Sequence, residues 1–139
     1  MEPSRKETMK ITRFEDLLVW QKSRSLAVAV YQITGTGSFA RDFGLRDQVR
    51  RAAVSVMSNI AEGFGRYSRP EVRRFVTIAR GSLAEVQSQL YLARDLDYLT
   101  EADHRSLNTR CTEVARMLAA LRTSLERTQI PPHRSAPST

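Results

Sequence analysis

Between Phe14 and Leu125 the apolar residues recur at steps of three and four, and the pattern breaks three times. That period belongs to helices with one buried face, so the breaks divide the chain into four helical segments. The first runs from about 16 to 34, with Leu18, Val19, Leu26, Val30 and Ile33 as its stripe and Phe14 placed to pack back on its first turn. It stops at GTGS, Gly35 to Ser38, which holds two glycines and no helix former. The second, about 41 to 62, has Leu45, Val49, Ala52, Ala53, Val56 and Ile60 on one face. Gly63 follows it as the residue able to take positive φ at a helix C-terminus.

The third segment, about 68 to 96, opens with Ser68-Arg69-Pro70-Glu71. Serine can accept from the first free amides, glutamate stands three residues on, and proline sits where its missing N–H costs nothing. Its stripe is Val72, Phe75, Val76, Ala79, Leu83, Val86, Leu90 and Ala93. The fourth, about 101 to 128, follows Thr100, with Glu101 and Asp103 near the positive end of the helix dipole. Leu107, Cys111, Val114, Leu118, Leu121 and Leu125 then give the four-three spacing of a coiled-coil-like seam. Short connections make such neighbours antiparallel, and the predicted fold is all-α: an up-down-up-down antiparallel four-helix bundle over residues 14–128.

At 139 residues the chain amounts to one domain. Residues 1–13 read as a charged, disordered N-terminal arm, and 129–139 as a disordered tail with three of the five prolines. The single cysteine, Cys111, cannot form an intrachain disulfide and reads as a buried structural thiol. A charged N-terminus without an apolar run, and no stretch near the ~20 residues of a membrane span, point to a cytoplasmic protein with no membrane partner.

The 22 Lys and Arg against 15 Asp and Glu leave a formal charge of +7. Such a balance favours RNA or DNA as partner, and an acidic protein after them. Seven arginines are candidates for phosphate contact: Arg46, Arg50 and Arg51 in the second segment, Arg66 and Arg69 on the following connection, and Arg73 and Arg74 in the third. The competing reading pairs them with carboxylates, Arg46 or Arg50 with Asp47 or Asp42, and Arg74 with Glu71.

Ser55, Asn59 and Glu62 share a face, either as solvated surface or as a polar seam between subunits. Trp20 stands among apolar neighbours as a core or interface anchor, while Tyr31, Tyr67, Tyr91 and Tyr98 are too scattered for a base-stacking platform. Leu17, Ala27 and Val28 widen the apolar side of the first helix, a hint of a second contact surface.

Catalytic patterns are missing from the sequence. His104 and His133 lack ligand partners at useful spacing, and GFGR and GTGS lack the lysine and strand of a phosphate loop. The chain therefore reads as a non-enzyme without metal or cofactor. A rival reading is a protein-interaction module with incidental charge, and another is a ligand held near Glu62 or Asn59 in an assembly.

FEDLLVWQKS (Phe14 to Ser23), LRDQVRRAAVSVMSNIAEGFGR (Leu45 to Arg66) and FVTIARGSLAEVQSQL (Phe75 to Leu90) resemble a bacterial four-helix-bundle family first met as proteins encoded in 23S rRNA intervening sequences. The resemblance covers about 14 to 125. It implies homopentamers built as a barrel-like ring with a central channel. The accessory variability proteins of diversity-generating retroelements share this architecture and present basic residues to nucleic acid and to a reverse transcriptase. No settled biochemical activity is implied for the intervening-sequence members.

Overall fold

The computed structural model describes residues 12–66 and 68–129. Most of the N-terminal arm, the tail beyond Gln129, Tyr67 and His133 lie outside the described residues. A 3-10 turn, Phe14–Asp16, precedes five α-helices: α1 (Leu18–Thr34), α2 (Gly37–Arg41), α3 (Phe43–Phe64), α4 (Arg69–Asp95) and α5 (Glu101–Gln129). The four long ones form a bundle in which α3 packs against α1 and α4, and α5 against α4 and α1.

Three local features depart from the sequence reading. First, GTGS is not merely a stop. Gly37, at φ +61°, starts the short helix α2, whose Phe39 is fully buried and lies 5.4 Å from the Tyr98 ring. Second, the helix expected from about 41 is split at Asp42, because its Oδ1 accepts from Leu45 N at 3.1 Å and caps α3 instead. Third, Gly63 does not end α3 with positive φ. The helix continues to Phe64, and Gly65, at φ −77°, is the capping residue. Gly63 is instead buried against Phe75.

The remaining ends follow the sequence. Ser68 Oγ accepts from Glu71 N at 3.3 Å with Pro70 in the first turn, and Thr100 Oγ1 accepts from Asp103 N at 3.0 Å. At the end of α4, Asp97 takes φ +61°, Asp97 N donates to Arg94 O, and Tyr98 N donates to Ala93 O, each at 2.9 Å. This is the paired-bond helix ending usually built on glycine.

Residue pairs between α3 and α4 run in opposite senses: Asp42 with Tyr98, Ser55 with Ser82, Gly63 with Phe75. Leu17, Ile60, Val72, Val76, Leu121 and Leu125 line one cavity of about 630 Å³ where the long helices meet at the corner end. The core holds Leu26, Val30, Val49, Val56, Val86, Leu90, Val114 and Leu118, all fully or nearly fully buried. Each contributes ~1.5–3 kcal/mol of burial. Buried Ser23 and Thr34 satisfy their hydroxyls on carbonyls one turn back, Val19 O at 2.8 Å and Val30 O at 2.7 Å.

Candidate nucleic-acid and assembly surfaces

Most of the predicted phosphate-binding arginines already have partners within the chain. Arg46 Nε lies 2.9 Å from Asp47 Oδ1, and its guanidinium covers the exposed Phe43 ring at 4.7 Å. Arg66 reaches Glu62 at 2.6 Å and Arg74 reaches Glu71 at 3.4 Å, and both guanidinium groups lie over the Phe75 ring. Arg73 is half-buried and engaged.

Of the two arginines offered as partners of Asp42 or Asp47, Arg46 takes Asp47 and Arg50 pairs with neither. Its Nε donates to Thr34 Oγ1 at 2.7 Å, its Nη2 donates to Tyr31 O at 3.2 Å, and it lies 4.4 Å from the Tyr31 ring centroid. The side chain thereby closes the carbonyl end of α1. Of the seven, only Arg51 and Arg69 are exposed and make no ion pair among the described residues.

Other cations stand free that the sequence reading did not select. Arg24, Arg80, Arg105, Arg110 and Arg116 are exposed and form no ion pair among the described residues. No run in the sequence draws attention to them, because α1, α4 and α5 supply them from distant parts of the chain.

The face shared by Ser55, Asn59 and Glu62 is hydrogen-bonded within the chain. Ser55 Oγ and Ser82 Oγ lie 2.8 Å apart and tie α3 to α4, while Asn59 Nδ2 donates to Ser55 O at 2.8 Å and to its Oγ at 3.0 Å. Glu62 is exposed and held by Arg66. Trp20, read as a core or interface anchor, is buried in the chain's own core, edge-on to Phe14 at 5.0 Å and covered by Arg24 at 5.6 Å.

What α3 leaves outward is a recess of about 610 Å³, whose walls include Tyr31, Gln48, Arg51, Val54, Glu85 and Gln89. Tyr31 and Val54 remain 46% and 37% exposed, although both are large and apolar. Arg51 and Glu85 supply opposite charges, and Gln89 Oε1 is buried without a hydrogen-bond partner.

Catalytic equipment is sparse. Among the described residues no group of three or more His, Cys, Asp or Glu could hold a metal ion. Cys111 is fully buried, and burial pushes its thiol up to about 12, so it stays protonated and inert at neutral pH. His104 is buried, lying 4.8 Å from the Tyr91 ring with Nε2 unpartnered. No helix among the described residues is long and apolar enough to cross a membrane.

Fold and surfaces together define a helical-bundle protein with charged grooves on its surface. The sequence profile of the 23S rRNA-intervening sequence proteins matches residues 15–120, and the chain belongs to that family. Its fold is similar to the crystal structure of a protein of unknown function from the S23 ribosomal protein family of Bacteroides thetaiotaomicron. The two share 25% identity at a TM-score of 0.70, over 76% of this chain and 98% of that one. Comparison with curated proteins yields no match.

Proposed function

We propose that the protein is a non-catalytic scaffold that assembles with copies of itself through the outer face of α3 and holds nucleic acid on its arginines. The observation that carries the assembly is the α3 recess. It combines exposed Tyr31 and Val54 with Arg51 and Glu85 of opposite sign. A second copy supplies apolar cover and complementary charge in one step. A pentameric ring is what the family resemblance implies. Repetition of the free arginines around its axis multiplies weak phosphate contacts by avidity.

Light scattering tests the assembly: the wild type gives a multiple of the 15.8 kDa chain, and Val54→Glu gives the single chain. A wild type that stays at the single-chain mass removes the scaffold reading. Titration of RNA and DNA across about 50 to 200 mM salt tests the second half, since phosphate contacts weaken steeply over that range. A protein-interaction role is the second reading. It is favoured by the carboxylates that already occupy Arg46, Arg66 and Arg74.

A further inference from the structure

The flank of α1 turned away from α3 carries a groove of about 410 Å³ against α5. Gln21, Arg24, Ser25 and Gln32 of α1 line it, with Arg110 of α5 opposite. Its charge is one-sided. No Asp or Glu occurs from Leu18 to Thr34, nor from His104 to Thr112. The nearby carboxylate of Glu113 is held by Lys22 at 3.3 Å. Arg24 and Arg110 thus line the groove without an ion pair among the described residues.

We infer that this groove binds the phosphodiester backbone of a single-stranded nucleic acid; the inference rests on the nucleic-acid half of the proposed function and supplies its site. Guanidinium groups are forked partners for phosphate oxygens. The amide and hydroxyl side chains of Gln21, Ser25 and Gln32 suit phosphate and sugar oxygens and carry no charge to repel them. An acidic partner helix would need apolar anchors, and the groove offers only Val28 and Ala29. A groove of about 410 Å³ between two helices suits a single extended backbone. Trp20 is buried beneath Arg24, and no aromatic side chain lines the groove itself. Binding is therefore indifferent to sequence.

The test is fluorescence anisotropy with an oligouridylate of about 16 nucleotides over a salt series, on the full chain. Arg24→Gln/Arg110→Gln weakens binding at least tenfold at low salt and lowers the log–log salt slope by roughly 1.4, two phosphate contacts on a single strand. Ser25→Glu, which leaves both arginines and the Trp20 contact in place, weakens it as well. Arg94→Gln, at an arginine of α4 already paired with Asp95, leaves it unchanged. Wild-type binding that survives both groove changes overturns the groove and spares the nucleic-acid reading. No wild-type binding to RNA or DNA at low salt removes both. Polyglutamate bound as tightly as the oligonucleotide and lost in the same variants assigns the groove to an acidic protein, and a duplex bound equally well removes the single-strand claim.

Discussion

Gly63 and Phe75 pack so closely that a Cβ added to Gly63 would stand 2.7 Å from the Cβ of Phe75. The obstacle is the root of a buried side chain on a facing helix, which cannot swing aside. Gly63→Ala gains ~1 kcal/mol of helix propensity but forces α3 and α4 apart at the corner, and overpacking costs about 1–3 kcal/mol. A net destabilisation of up to about 2 kcal/mol is expected by urea unfolding. Gly81, inside α4, has nothing within 4 Å of the same added atom. Gly81→Ala should therefore stabilise by about 0.5–1 kcal/mol. The same substitution at two helical glycines is expected to act with opposite sign.

Gly63 also shows what the sequence could and could not disclose. Periodicity marked nearly every core position, since burial of a helix stripe depends on local spacing, and Ser68 and Thr100 announced their helix starts by type. The glycine after SNIAE read as a stop because a helix ending and a close helix crossing both favour glycine. Only the partner helix decides between them. The Asp42 break was hidden for a similar reason: its cap depends on Phe39 folding inward and Tyr98 arriving from the end of α4. Charge was the least legible feature. The conspicuous arginines are largely paired, and Arg24 and Arg110 meet only through tertiary packing.

Arg50 is expected to behave as a structural residue. Thr34 is fully buried, and its hydroxyl donates to Val30 O while accepting from Arg50 Nε. Arg50→Ala leaves that acceptor and the Tyr31 carbonyl without their charged donor, at a cost of about 1.5–3 kcal/mol. Arg50→Lys should not restore stability, because one ammonium cannot reproduce the fork that spans Thr34 Oγ1, Tyr31 O and the Tyr31 ring. Chemical denaturation of the two variants checks this. Full stability in the lysine variant would contradict the assignment.

The bond from Tyr98 OH to Asp42 Oδ2, 2.9 Å long, ties the end of α4 to the start of α3. The Leu45 amide first, and the Tyr98 hydroxyl second, hold the Asp42 carboxyl below its ordinary value near 3.8. Donation to that carboxylate raises the Tyr98 phenol above its ordinary value near 10.0, with burial adding to it. The carboxylate's stabilisation is full above its unfolded value and is lost as pH falls through the lower folded one. The phenol's is full below its unfolded value and is lost as pH rises through the higher folded one. The stability gap between wild type and Tyr98→Phe should thus be flat across the neutral range and shrink at both extremes. Urea midpoints measured from about pH 2 to about pH 11 report it.

Asp97 occupies the left-handed position that ends α4, at φ +61°. Its own amide and that of Tyr98 close the Arg94 and Ala93 carbonyls, so the conformation is required by two backbone bonds and cannot relax without exposing them. An L-residue with a Cβ pays ~1–2 kcal/mol there, somewhat less for Asp, whereas glycine adopts it freely and loses only chain entropy on folding. Asp97 is exposed, and neither an ion pair nor a side-chain bond of its carboxylate is seen among the described residues. Removing a carboxylate from the negative end of a helix dipole is itself favourable. Asp97→Gly should therefore stabilise the fold by about 0.5–1 kcal/mol, and Asp97→Val should destabilise it by more than that, the β-branched side chain being the worst fit to this region. Thermal unfolding of the pair decides the matter, since equal or reversed shifts would mean that the ending does not hold the residue in this conformation.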